Sequence, residues 1–336
     1  MDPYIIYGAP GSPYSIKVRA AFRYKRIPHI WQMGGHGDGD VMGKVKVPVI
    51  PVVRFPDGTY KNDSTPLLQD IERLHPERAL FPADPALQFL ALLLEDFADE
   101  WLTKAMFHYR WYRAADQDQM SKWLAFDRMM GKSQAAIEQA AAFFRDRQVG
   151  RMTIVGCTPQ NAPVIEDATF AAWRALDQLA LEGPFLFGTR PSVADLAIMG
   201  QYLQLATDPT PQILMRAVAP YLYRWLFDLD DASGFEGAWI DGITALHPSV
   251  HTLIGQVGTI YFPFLLANDA AIKAGQDTFT VTLLGRAFTQ GVFKYQQKCL
   301  GELRARYAAL PATAKAELAP LLSETHCLAT LQGDLA

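Results

Sequence analysis

The chain has 336 residues, 50% of them hydrophobic and 20% charged, with a formal net charge of −4 at pH 7. This balance offers no basic stripe for a nucleic acid, and no run reaches the ~18 consecutive apolar residues of a membrane span. At roughly 100–200 residues per domain, the length predicts two domains, large enough to bury a real core. Cys157, Cys299 and Cys327 stand far apart without C-x-x-C spacing, which indicates neither a disulfide framework nor a zinc site. A reducing, cytoplasmic setting fits that usage. Met1-Asp2-Pro3-Tyr4 has neither the basic nor the apolar region of a secretory signal.

Residues 4–8, YIIYG, are a β-branched and aromatic run closed by APGSP, which predicts a strand and a turn. Ser12 then occupies an N-cap position, with Pro13 at the first helical position, where its missing N–H costs nothing. Val18, Ala21 and Phe22 recur at helical spacing, and Pro28 limits the helix. HIWQM, 29–33, predicts a second strand. The stretch 34–44, GGHGDGDVMGK, has no periodicity and predicts a loop or a reduced helix. VPVIPVVRF, 47–55, predicts a third strand, with Pro48 and Pro51 confined to its start or edge. PDGT is a hairpin turn signal and YKN the return strand. DSTPLLQDIERLHP predicts a helix capped by Ser64 or Thr65.

Residues 1–76 therefore read β-α-β, linker, β-β-α, and the proline-rich stretch 77–86 reads as an interdomain linker. From residue 87 the signal is helical. One long helix runs through KAMFHYRWYR, 104–113, and a second covers 120–148. A third covers 164–183 and stops at Gly183-Pro184, and a fourth opens at Ser192-Val193-Ala194-Asp195, a capping box. Residues 288–310 predict a helix with a basic polar face.

Residues 12–15 read Ser-Pro-Tyr-Ser. With a cysteine at each end they would be C-P-Y-C, a dithiol redox motif, but both sulfurs are oxygens here. Taken with Lys17-Val18-Arg19, with Val47-Pro48 before a strand, with Asp63-Ser64 opening a helix and with FGTRPSVADLAI at 187–198, this order of elements resembles the glutathione S-transferase superfamily, serine-type. The resemblance covers about residues 1–230. It implies a fold of α/β plus all-α: a thioredoxin-like glutathione-binding domain at 1–76, and a helical acceptor-substrate domain at 87–336 with an extension from about 240. It also implies glutathione as co-substrate, a small, mostly apolar electrophile as second substrate, and a homodimer.

What the resemblance implies has a physical basis at each residue. The thiolate is the nucleophile, and a free thiol is mostly protonated at neutral pH. A helix N-terminus stabilises an anion, and Ser12 sits there with a hydroxyl that can donate to the sulfur. The protein needs no sulfur of its own because the substrate brings it. Ser15 is next in line and Tyr7 a third option, while plain capping is the bland reading of Ser12. Val47-Pro48, with the proline cis, would pair its backbone with glutathione like an added strand. Asp63 and Ser64 would hold the γ-glutamyl end, and Lys46 or Lys44 the glycine carboxylate. Tyr14, His108, Trp111 and Tyr112 would line the acceptor pocket, with Phe107, Arg110 and Trp111 on one helix face and His108 and Tyr112 on another. Ser192 and Asp195 read as structural. His247-x-x-x-His251 lacks a partner carboxylate, so no metal is expected. The extension is expected to pack on the helical domain and narrow the acceptor pocket. The alternative reading is a non-catalytic binding or assembly module on the same fold.

Overall fold

The computed structural model describes residues 2–33 and 39–333. β1 (Tyr4–Gly8) lies between β2 (His29–Met33), to which it is parallel, and β3 (Val52–Arg54), to which it is antiparallel; β4 (Tyr60–Asn62) closes the sheet in the order β2-β1-β3-β4. Register places Ile6 opposite Val53, and both are fully buried. The strand alternation sends Ile6 inward to α1 (Pro13–Tyr24) and α3 (Ser64–Leu74), where Phe22 and Ile71 are also fully buried. A short α2 (Gly39–Met42) precedes β3; residues 34–38 of the predicted loop lie outside the described residues.

The helical part begins with α4 (Pro85–Phe97), capped by Asp84, whose carboxylate accepts from the Leu87 N–H. It continues through a π-helical turn, Ala98–Leu102, into α5 (Thr103–Trp111). The long second helix expected from sequence is two: α6 (Ala114–Met129) and α7 (Gln134–Val149) break at Gly131, whose φ of 84° suits only glycine comfortably. α8 (Ala162–Glu182) and α9 (Val193–Leu205) follow, and α9 opens with the Ser192–Asp195 capping box formed in both directions. α10 (Pro209–Val218) and α11 (Pro220–Asp230) complete this layer. α9 lies against α1 so closely that a Cβ at Gly200 would come within 2.6 Å of the Pro13 carbonyl oxygen. The thioredoxin-like domain and the helices thus share one packed interface.

The C-terminal hundred residues are not all helical. α12 (Pro248–Gln256) and α13 (Phe262–Lys273), joined by a second π-helical turn, form a run apolar and long enough to cross a membrane, and most of it is buried within the protein as a core helix is. β5 (Thr278–Leu283) and β6 (Arg286–Gly291) then pair as an isolated hairpin. The alternation TFTVTL and the turn pair Leu284-Gly285, both at positive φ, build it. α14 (Lys294–Ala308), α15 (Ala312–Glu324) and α16 (Leu328–Gln332) end the chain, so the helix predicted from 288 begins at 294. α12 packs on α8, and α14 and α15 pack on α4, which puts the extension against the helical domain as expected.

Candidate glutathione site at two helix N-termini

The turn after β1 delivers Ser12 to the N-cap of α1. Its φ and ψ of −106° and 115° are extended, as an N-cap requires, and its Oγ accepts from the Ser15 N–H at 3.3 Å. That leaves the half-buried Ser12 with an O–H to donate. Ser15 stands differently. It is fully buried and its Oγ has no partner, packed so tightly behind β1 that a Cβ at Gly8 would meet it at 2.9 Å. Burial therefore separates the two serines, leaving Ser12 as the more accessible hydroxyl.

The turn itself is held by the helical domain. Arg110 donates from Nη1 to the Gly11 carbonyl at 2.9 Å, and Gln204 donates to the Pro10 carbonyl at 3.1 Å. Arg110 is in turn fixed by the fully buried Asp208 through two bonds, 2.7 and 2.9 Å. Leu124 of α6 lies directly over the turn: a Cβ at Gly11 would come within 2.0 Å of its Cδ2.

At α3, Asp63 holds the N-cap position with φ at 71°, in the left-handed region, and makes no side-chain cap bond. Its exposed carboxylate is therefore not spent on its own helix. Ser64 is buried, and its Oγ accepts from Lys17 Nζ at 3.4 Å. Beneath it Lys17 donates to Asp99 at 2.6 Å and to Glu95, which also accepts from the Thr65 hydroxyl. Burial alone would lower the Lys17 ammonium, but Asp99 and Glu95 overcome it and hold it above the usual lysine range. Burial raises Asp99 to about 7 despite Lys17, with Glu95 adding repulsion. Next to them Asp96 is pushed up to about 7, chiefly by burial, while accepting from Tyr261 at 2.7 Å.

Other expected residues lie elsewhere. The cis peptide before β3 is Ile50–Pro51, not Val47–Pro48: the strand is only three residues long, and Pro51 is the residue that adjoins it. Val47 and Pro48 are exposed, three or more residues ahead of the strand, and the Val47 carbonyl accepts from Asn62 at 2.6 Å. Lys46 is exposed in the same segment with no ion pair among the described residues, while Lys44 faces Asp40 at 3.7 Å. Tyr14 spends its hydroxyl on the Asp99 carbonyl at 2.9 Å, turned into the domain interface.

The helix faces predicted for 104–113 are present, since the His108 and Tyr112 rings lie 4.5 Å apart and Phe107 and Trp111 form a second pair. Yet His108 and Trp111 are buried. His108 bonds Glu166 at 2.9 Å and Trp111 packs on Phe144. These two residues belong to the core, because α6, α7 and α8 pack on α5. Tyr112 remains half-buried beside Arg113. Sequence reading missed Arg110, Gln204 and Leu124 as the groups around Ser12. The polar pair alone carried a signal: two large polar residues at positions that are otherwise helical and apolar.

A thioredoxin-like mixed sheet followed by a helical domain packed on its first helix is the glutathione-transferase type of fold. Residues 6–79 match the family described as glutathione S-transferase, N-terminal domain. The N-terminal domain is that of the glutathione S-transferase superfamily. Among solved structures, a glutathione S-transferase from Methylobacterium radiotolerans, in complex with glutathione sulfonate, aligns at 20% identity over 71% of this chain and 98% of its own, with a TM-score of 0.41. One from Rhodospirillum rubrum aligns at 16% identity over 75% and 91%, TM-score 0.43. A β-etherase from Sphingobium aligns at 16% over 76% and 100%, TM-score 0.42. No curated protein matches the chain.

Proposed function

We propose that this protein is a glutathione transferase in which Ser12 favours the glutathione thiolate for attack on an electrophilic, mostly apolar small molecule. The observation that carries the reading is the Ser12 cap: a half-buried hydroxyl at the N-terminus of α1, its oxygen accepting from Ser15, its O–H free to donate, within a domain of the matching family. The hydroxyl donates to sulfur, and the helix N-terminus adds its partial positive charge. The thiol proton leaves to solvent. Sulfur then forms a bond to the electrophilic carbon, and the leaving group departs with its electron pair, or an addition product takes up a proton instead. Asp63 and Ser64 hold the γ-glutamyl end. The acceptor side is built by Leu124 and the α6 residues around it in place of His108 and Trp111.

The test follows the ultraviolet absorbance of the thiolate of bound glutathione against pH. Ser12→Ala is expected to leave roughly tenfold less thiolate at neutral pH and to lose turnover in step, with the fold unchanged. Turnover that survives Ser12→Ala would remove Ser12 from the chemistry. The burial of His108 and Trp111 favours one second reading, a glutathione-binding module without catalysis. Binding of glutathione without turnover of any electrophile would select it.

A further inference from the structure

A cavity of about 200 Å³ lies where α3, α4 and α14 meet. Asp63, Thr65 and Gln69 line it from α3, and Tyr295, Lys298 and Arg306 line it from α14. Residues more than two hundred positions apart in sequence thus share one wall. The charges are mixed. Asp63 and Glu302 offer exposed carboxylates, Glu95 and Asp96 stand in the α4 wall, and Lys298 and Arg306 offer two cations. Lys298 faces Glu302 at 3.3 Å, but both side chains are more than half exposed, so that pair holds it weakly. Arg306 has no carboxylate in ion-pair range among the described residues. With its amide turned to present oxygen, Gln69 accepts from both Arg306 terminal nitrogens at 3.3 Å. That neutral partner leaves the guanidinium charge unbalanced. Glu95 is held by Lys17 and Thr65, and Asp96 accepts from Tyr261. Asp63 and Arg306 are then left to a ligand, with Lys298 and Glu302 loosely paired beside them. One carboxylate facing a cation suits a zwitterion, and the α-amino-acid head of a γ-glutamyl group is one.

We propose that α14 completes the glutathione site in cis, with Lys298 and Arg306 taking the α-carboxylate of the γ-glutamyl end and Asp63 taking its ammonium. This rests on the proposed glutathione binding and adds residues from the C-terminal extension to it. The extension is then part of the ligand site, on the glutathione side rather than the acceptor side.

The test is calorimetric titration of the full chain with glutathione and with its analogue lacking the γ-glutamyl α-carboxylate. Lys298→Ala, an exposed position on one helix face, is expected to weaken glutathione roughly five- to tenfold and to leave the analogue unchanged. Arg306→Gln is expected to do the same more strongly. Wild-type binding that neither substitution weakens would overturn the proposal and leave the glutathione reading standing. An equal loss for glutathione and the analogue would also overturn it, because α14 would then act through packing. Wild-type protein that is folded and binds no glutathione would remove the functional reading itself, and this proposal with it.

Discussion

Arg110 donates to the carbonyl of Gly11 at 2.9 Å, one residue before the Ser12 cap. The helical domain thereby fixes the backbone that presents the proposed catalytic hydroxyl. Arg110 can do this because Asp208 holds the other side of its fork, and both side chains are almost wholly buried. Removing one partner of a buried pair strands the other charge. Arg110→Ala is expected to cost about 3–5 kcal/mol of stability, read by urea denaturation. Arg110→Lys, which keeps the charge and loses the fork, should fall between. A cost for Arg110→Ala within experimental error of zero would show that the clamp contributes nothing.

Lys17 is the only cation bonded to both Glu95 and Asp99 among the described residues, and all three are buried. Lys17→Met removes the charge that offsets them. The two carboxylates can then escape only by taking up protons. The variant should lose more stability at pH 9 than at pH 5, measured as the difference from wild type in denaturation midpoints. A loss independent of pH would mean that Lys17 matters for its packing alone.

Asp96 titrates at about 7 in the folded protein, against 3.8 for an ordinary aspartate, because burial penalises the charged form. Between those values the folded state binds the proton and the unfolded state has lost it. Stability from this group is therefore full below about pH 4 and falls as pH rises through 7. Asp96→Asn keeps an oxygen for the Tyr261 hydroxyl and removes the charge. It should flatten that fall and be more stable than wild type at pH 8. A variant less stable than wild type at pH 8 would show that the ionised carboxylate is welcome there.

The Ser192–Asp195 capping box serves the fold and touches none of the proposed ligand residues. Ser192 donates to Asp195 at 2.5 Å, and the Asp195 carboxylate also accepts from the Leu186 and Ser192 N–H groups. Ser192→Ala should cost about 0.5–2 kcal/mol and leave glutathione affinity unchanged. Altered affinity at full stability would move this segment into the site.

Much of the thioredoxin-like domain was legible because its signals are local. β1 is a β-branched run and α1 has its serine cap and proline at the first position; in the helical domain, α9 likewise carries both halves of its capping box. The positions of the cis bond and of the hairpin were less legible. Two prolines, Pro48 and Pro51, precede the same apolar run, and only the strand pairing of Val52 with Tyr7 and Asn62 decides which adjoins it. The β5–β6 hairpin was hidden inside a helical context, although TFTVTL alternates and Leu284-Gly285 makes a tight turn. The groups around Ser12 were barely legible, the polar pair Arg110 and Gln204 alone leaving a trace. Arg110, Gln204 and Leu124 reach it from three different helices, and no spacing in a sequence states that α6 folds over residue 11.

The central claim is that glutathione binds across the N-termini of α1 and α3. Calorimetric titration of glutathione into wild-type protein and into Ser64→Ala, both shown folded by circular dichroism, tests it most directly. The account predicts saturable binding to wild type at one site and clearly weaker binding to Ser64→Ala. Folded wild-type protein that takes up no glutathione would contradict it.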